Sequence, residues 1–96
     1  MNNLDNQSVE IMHILQEECA EVIQAISKCQ RFGIHNFKPG TDKTNLAQLQ
    51  EELGDVMAMV ELLVDQKIGL VDHKITEAKV AKFEKLKKWS TIATNK

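Results

Sequence analysis

Two short acidic segments carry the side chains of this 96-residue chain that are best suited to chemistry. Each segment has two adjacent acids and a third acid three positions later, and the second segment follows the first by 34 residues (51 − 17). A Leu precedes and a Val follows the acids at matching positions in both. The acids are Glu17, Glu18 and Glu21 in the first segment, and Glu51, Glu52 and Asp55 in the second.

The spacing of the apolar residues around both segments is helical, so the direction of each acid can be predicted. At about 100° per residue, the middle acid of each segment, Glu18 or Glu52, falls inside the apolar stripe of its helix. The last acid, Glu21 or Asp55, falls on the border of the stripe, and the first falls just outside it. Two such helices packed face to face would bring four carboxylates together.

A carboxylate inside a helix-packing surface must be paired, protonated or bound to a metal ion. Repulsion within such a cluster calls for a cation, and a hard divalent ion such as Mg²⁺ prefers oxygen ligands. The alternative is that these acids are solvated, as most helical glutamates are. Two copies of the pattern with matching phase favour the metal site.

Three helices are predicted to position these residues. The first runs over 9–31, with Ser8 as N-cap and Gly33 in a left-handed position after its end. The second runs over 45–66, capped by Asp42 or Thr44, and the third over 71–89. Residues 1–7 are expected to form a weakly ordered lead, and residues 90–96 a frayed tail.

The connection 33–44 contains the only proline and carries His35, Asn36 and Phe37, which could hold a nucleobase by stacking and hydrogen bonds. An ordinary connector is the alternative. In the second helix, Gly54 would allow close approach of a backbone or ligand, or is simply tolerated there. In the third, Lys82 falls within an apolar stripe of Val71, Ile75, Ala78, Leu86 and Trp89.

We expect a single all-α domain, residues 1–96 with a core over about 8–89. Three amphipathic helices leave much apolar surface on so short a chain. The fold would therefore consist of three main helices that complete a four-helix-bundle-like core by oligomerisation, as a dimer or tetramer.

Composition narrows the class of protein. The net charge is −2, but residues 1–73 hold five basic and twelve acidic residues, which argues against a general nucleic-acid binder. No apolar run could span a membrane and no signal-peptide pattern begins the chain, so the expected location is the cytoplasm. Cys19 and Cys29 lie too far apart on one helix to bridge, and we expect reduced, apolar core residues.

The acidic segments resemble the EExxE…ExxD signature of the MazG-like, all-α nucleoside triphosphate pyrophosphohydrolases, and the resemblance covers about residues 8–89. It implies Mg²⁺, with Mn²⁺ as a possible substitute, and cleavage of a nucleoside triphosphate to a monophosphate and pyrophosphate. It implies metal ligands at Glu18, Glu21, Glu52 and Asp55, supporting catalytic acids at Glu17 and Glu51, and phosphate contacts from Lys79 and Lys82. The chain is similar to the short, stand-alone members. It departs from several relatives in having Glu77-Ala78 where an Asn precedes the basic pair.

Other chemistries fit the residues less well. The chain has no Gly-x-x-x-x-Gly-Lys phosphate loop and no evident nucleophile–base pair. A di-iron carboxylate bundle would use a Glu-x-x-His pair, but Glu10 and His13 point away from the predicted core. A non-catalytic helical dimerisation module is the remaining alternative, and it predicts no effect of divalent metal on stability.

Overall fold

The computed structural model describes residues 4–93, 95 and 96, and these residues fold as three helices. The helices are α1 (Asn6–Phe32), α2 (Asn45–Asp65) and α3 (Asp72–Trp89). Outside them, the described part of the chain contains an isolated β-bridge between Phe37 and Thr44 and no strand. The predicted all-α class and the three helices are therefore confirmed.

The start of α1 differs from the sequence prediction. Asp5, not Ser8, is the N-cap: its carboxylate accepts a hydrogen bond from the Ser8 backbone N–H at 2.7 Å. The pKa of Asp5 is lowered, because hydrogen bonds from Ser8 favour the charged carboxylate. Ser8 is instead fully buried inside the helix, where its hydroxyl donates to Gln66 Oε1 at 3.4 Å. Of the weakly ordered lead predicted over residues 1–7, residues 1–3 lie outside the described residues, and α1 already begins at Asn6.

The end of α1 and the start of α2 follow the predicted signals. Gly33 has φ +88°, and its N–H donates to Cys29 O at 3.0 Å. Thr44 caps α2 by accepting from Ala47 N at 3.1 Å. The connection is also bonded to the helix it precedes, since Leu46 N donates to Ile34 O at 3.0 Å.

Helices α1 and α2 pack as an antiparallel pair in one compact unit that ends at Gln66. Ser8 meets Gln66 near one end of the pair, and Cys29 Sγ donates to Asn45 O at 3.5 Å near the other. Twenty-one residues along α1 (29 − 8) therefore match twenty-one back along α2 (66 − 45). This register brings opposing halves of the two helices into contact. The buried apolar residues are Ile11, Ala25 and Leu63.

The two cysteines are both free thiols, as expected, but only one is sheltered. Cys29 is half-buried between the helices, whereas Cys19 is exposed. The prediction that both are core residues is therefore wrong for Cys19, because its position on α1 turns away from α2.

Helix α3 belongs to a second compact unit that begins at Lys67. None of its described residues is buried, and Trp89 is 77% exposed. Its surface carries ion pairs between Lys74 and Glu77 and between Glu84 and Lys87. The expectation of a single domain stays a prediction, and Thr94, within the predicted tail, lies outside the described residues. Within the described residues, none of the helices combines the length and apolar character needed to cross a membrane.

Candidate functional site

Three carboxylates from two helices form a cluster between α1 and α2. Glu18 of α1 and Glu52 and Asp55 of α2 each offer an oxygen, and these oxygens lie within 4.8 Å of one another. Glu52 is buried, with 8% of its surface exposed, while Glu18 is half-buried and Asp55 is exposed. We call these three residues the carboxylate cluster. The helix phase predicted from the sequence gave the same order of burial for the two middle acids and Asp55.

The electrostatics of the cluster favour a positive charge or a proton. The pKa of Glu18 is raised above its usual value, first by desolvation and then by the charge and a hydrogen bond of Asp55. The charges of Glu52 and Glu21 raise it further. Because like charges crowd together here, a cation shared by the three oxygens would relieve their repulsion.

Gln48 lies one turn before Glu52 on α2 and touches the cluster. Its Nε2 donates to Glu52 Oε1 at 2.5 Å, which fixes the direction of the amide. Its Oε1 is buried and has no hydrogen-bond partner among the described residues. Buried acceptors are normally satisfied, so this oxygen is free to accept from, or coordinate, a group bound at the cluster.

The other predicted acids surround the cluster without belonging to it. Glu21 is exposed and close enough for its charge to raise the pKa of Glu18. Glu51 is exposed and pairs with Lys43 of the connection, Nζ to Oε2 at 2.7 Å. Glu17 is also exposed. The structure thus brings three of the six predicted acids together, and the roles assigned to all six stay predictions.

The glycine inside the second acidic segment has open space around it. A Cβ built on Gly54 would meet no other atom within 4 Å. No backbone in the described part of the chain therefore approaches Gly54 closely. Of the two explanations for this glycine, contacts within the chain favour the one in which it is tolerated in the helix without a packing role.

A pocket of about 300 Å³ lies where α1 ends and α2 begins. Two of the three predicted base-binding residues, Asn36 and Phe37, line it, and His35 does not. Sequence reasoning missed the contributions of the helices, namely Lys28 and Phe32 from the last turns of α1 and Asn45 from the first turn of α2. The full lining is Lys28, Phe32, Asn36, Phe37, Pro39 and Asn45.

Hydrogen bonds to the end of α1 build this pocket. Asn36 Nδ2 donates to Phe32 O and Asn45 Nδ2 donates to Gly33 O, both at 2.9 Å. The Asn45 backbone N–H also donates to Asn36 O at 2.8 Å. The guanidinium of Arg31 lies over the Phe32 ring, 4.8 Å from its centroid. These bonds hold the two asparagine side chains against the end of α1.

The pocket and the carboxylate cluster share one face of α2. Asn45, Gln48, Glu52 and Asp55 follow one another at helical steps of three, four and three residues, so their side chains lie along a single stripe. Asn45 and Glu52 are two turns apart, about 10 Å along the axis at about 1.5 Å per residue. The spacing of these four residues can be read from the sequence. Its relation to a binding site becomes evident only from the location of the pocket.

The predicted phosphate-binding lysines lie on α3. Lys79 and Lys82 are both exposed and sit one turn apart on the same helix. Among the described residues, neither forms an ion pair with a carboxylate. Their phosphate role stays a prediction. The Glu-x-x-His pair considered for a di-iron site, Glu10 and His13, is exposed, and neither residue belongs to the carboxylate cluster.

Comparison with known proteins identifies the family. No curated protein and no solved structure gives a significant match. Residues 6–90, which include all three helices, match the model of the MazG nucleotide pyrophosphohydrolase domain. The match spans both acidic segments, the pocket and α3, and covers far more than half of the chain. The chain therefore belongs to the MazG nucleotide pyrophosphohydrolase family.

Proposed function

We propose that this protein hydrolyses nucleoside triphosphates at the α–β phosphoanhydride bond, giving a nucleoside monophosphate and pyrophosphate. The observation that carries the proposal is the carboxylate cluster, in which Glu18, Glu52 and Asp55 converge from two helices. Family membership supports the choice of nucleotides as substrates.

The donor set of the cluster fits a hard divalent cation. All of its ligand atoms are carboxylate oxygens, which suit Mg²⁺, and Mn²⁺ accepts the same set. Glu18, Glu52 and Asp55 would hold the ion, with the nearby Glu21 completing the set. When bound, such an ion polarises phosphate oxygens and offsets their charge. The raised pKa of Glu18 supports this assignment, because desolvation and then the neighbouring charge of Asp55 disfavour the ionised carboxylate when no cation is bound.

The acids outside the cluster are suited to handling the water. The water oxygen bonds to the α-phosphorus as the α–β bond breaks, the bonding electrons leave with pyrophosphate, and the water proton passes to a carboxylate. Glu17 or Glu51 takes this proton or orients the water. Lys79 and Lys82 neutralise charge on the departing pyrophosphate, a role supported by their exposure and positive charge.

The pocket at the end of α1 is suited to the nucleobase. Phe37 offers an aromatic ring for stacking and Asn36 a polar group, with His35 beside them in the same connection. Asn45 of the pocket and Glu52 of the cluster are about 10 Å apart along the axis of α2, on the same face of that helix. This arrangement supports a single nucleotide that places its base in the pocket and its phosphates at the carboxylate cluster.

Self-association completes the proposal. Met57 of α2 is 71% exposed and Ile23 of α1 is 69% exposed. Each lies about 120° around its helix, in the same sense, from a residue buried in the α1–α2 contact, Leu63 or Ile11. Because antiparallel helices are related by a local twofold axis, both side chains lie on one face of the pair. A second copy of this chain would cover that apolar face.

The test is the product and its metal dependence. Phosphorus NMR of a deoxynucleoside triphosphate incubated with the protein should show monophosphate and pyrophosphate with Mg²⁺ present and no turnover in excess chelator. Release of diphosphate and orthophosphate would contradict the assigned bond. If the protein shows no hydrolysis and its melting curve is unchanged by Mg²⁺, the result would favour the alternative, a non-catalytic helical dimerisation module.

A further inference from the structure

We propose that Gln48 is a fourth residue of the cation site, where its amide nitrogen holds Glu52 and its amide oxygen contacts the bound ion or a water on that ion. The inference rests on the proposed function, in which the carboxylate cluster holds a divalent cation. It adds a neutral side chain to a site that the acidic segments define by charge alone.

Helix geometry places Gln48 beside the carboxylates of α2. Gln48 precedes Glu52 by four residues (52 − 48) and Asp55 by seven (55 − 48). At about 100° per residue, its direction lies between theirs, about 40° from Glu52 and about 20° from Asp55. Gln48 therefore projects from the face of α2 that supplies two members of the cluster.

The hydrogen bond to Glu52 identifies the two ends of the Gln48 amide. Nε2 donates to Glu52 Oε1 at 2.5 Å. A reversed amide would set two acceptor oxygens against each other, so the atom that faces Glu52 is the nitrogen. The second N–H on Nε2 does not affect this assignment. Because Oε1 and Nε2 share one carbon atom, Oε1 also lies only a few ångströms from the Glu52 carboxylate.

The amide oxygen of Gln48 is the observation that points to a ligand. Gln48 Oε1 is shielded from solvent, and within the described part of the chain it accepts no hydrogen bond. Buried polar atoms nearly always have a partner, and an ion or its water is one explanation for an exception. Here the cation that would relieve repulsion within the neighbouring cluster also supplies the partner for this oxygen.

A neutral oxygen suits this position better than a further acid. Amide oxygens coordinate hard divalent cations alongside carboxylates. The cluster already contributes three acids from Glu18, Glu52 and Asp55, so a fourth would add repulsion, whereas an amide adds an oxygen without adding charge. The bond from Nε2 also orients Glu52, as the partners of metal ligands commonly do. Gln48 thus positions one ligand and extends the set of oxygens.

Calorimetry of Mg²⁺ binding to the full chain tests the inference without requiring turnover. Gln48→Met keeps the length of the side chain but removes the amide, and should weaken Mg²⁺ affinity by about tenfold or more. Gln48→Glu loses the N–H but keeps oxygens at this position and adds a charge, so it should bind Mg²⁺ at least as tightly as the wild type. Gln50→Met makes the same change at an exposed position of α2 and should keep wild-type affinity.

Thermal melts distinguish a cation-site residue from one that only supports the α1–α2 contact. A purely structural Gln48 would make Gln48→Met lower the melting temperature equally in chelator and in Mg²⁺. The proposed role predicts a gap from the wild type that widens as Mg²⁺ is added, because the ion stabilises the folded state according to its affinity. Gln48→Glu should melt below the wild type in chelator and recover on addition of Mg²⁺.

Three results would count against Gln48. Wild-type Mg²⁺ affinity in Gln48→Met, or a melting gap that is equal at every Mg²⁺ concentration, would overturn the inference. If Gln48→Glu binds Mg²⁺ as weakly as Gln48→Met, the role given to the amide oxygen is wrong.

The two proposals fail in different ways. If the wild type binds Mg²⁺ and releases pyrophosphate while Gln48→Met binds Mg²⁺ equally well, the proposed function stands and the role of Gln48 is overturned. If Mg²⁺ affinity depends on Gln48 but no triphosphate is hydrolysed, the cation site stands and the proposed function is overturned.

Discussion

The carboxylates of Glu18 and Asp55 come from different helices and place oxygen atoms within 4.8 Å of each other. Neither has a basic partner that forms an ion pair with it among the described residues. The pKa of Glu18 is raised, first by desolvation and then by the charge of Asp55, so the ionised pair is unfavourable in the α1–α2 contact. We therefore expect a bound cation to stabilise this contact.

Replacing the buried acid should separate these two effects. Glu52→Gln keeps the shape of the side chain but removes its charge, so in chelator the variant should melt no lower than the wild type. In millimolar Mg²⁺ only the wild type should gain stability, and the variant should lose more than about 100-fold in pyrophosphate release. Thermal melts and a pyrophosphate assay measure both. Glu61→Gln, an exposed acid on the same helix, is the control and should behave as wild type.

Glu18 should make the stability of the metal-free protein depend on pH. Its folded-state pKa is raised above the ordinary value of 4.5, so the protonated carboxyl is favoured in the folded state. The resulting stabilisation is fully present below the unfolded-state pKa and is lost as pH rises through the folded-state pKa. Glu18→Gln is neutral at every pH and should retain it.

Melting temperatures measured in chelator between pH 4 and 8 provide the readout. The advantage of Glu18→Gln over wild type should be small at the acidic end and should grow as pH rises. Glu10→Gln, an exposed acid of α1, should follow the wild type. An advantage that shrinks with rising pH would contradict the assigned direction of the pKa shift.

Self-association should depend on the apolar face that Met57 and Ile23 share. Met57→Lys places a charge in that face and should shift the protein towards monomer in light scattering at micromolar concentration. Ala58→Lys adds the same charge at the next, exposed position, about 100° around α2, and should leave the assembly intact. A wild-type protein that is a well-folded monomer would rule out the shared face as an interface.

The Lys43–Glu51 ion pair should act on nucleotide binding more than on the chemical step. It ties the connection that carries the pocket to α2, next to Glu52. Lys43→Met and Glu51→Gln should therefore raise KM by similar factors, and the double variant should be no worse than either single one, as expected of partners in one interaction. Steady-state kinetics decide this. A large fall in kcat for Glu51→Gln alone would instead assign the proton-accepting role to Glu51.

Helical periodicity was sufficient to predict the three helices and the inward direction of Glu18 and Glu52, because both depend on local spacing. The sequence predicts Ser8 as the N-cap of α1 because serine is a common capping residue, but the carboxylate of Asp5, three residues earlier, is the acceptor that caps the helix. The burial of Ser8 depends on Gln66, which lies 58 positions away, and no local pattern reports that contact.

The pocket shows a second limit of the sequence. Asn36 and Phe37 were found because they stand in a distinctive connection, whereas Lys28 and Asn45 occur within ordinary helical segments. Their contribution follows from the antiparallel register of α1 and α2, which brings the end of one helix against the start of the next. The predicted burial of Cys19 is wrong for a related reason: the apolar arc of α1 is wider than the surface that α2 covers.

The count of seven residues from Asn45 to Glu52 constrains how this protein can change over evolution or in the laboratory. A single residue inserted between them would turn Glu52 and Asp55 by about 100° and carry them away from Glu18, although no functional side chain had been altered. Point substitutions in this stretch keep the helical spacing between Asn45 and Glu52. A change in its length would move the carboxylates off the helix face that they share with the pocket. Variation in chain length should therefore accumulate elsewhere, such as in the link between Gln66 and Asp72.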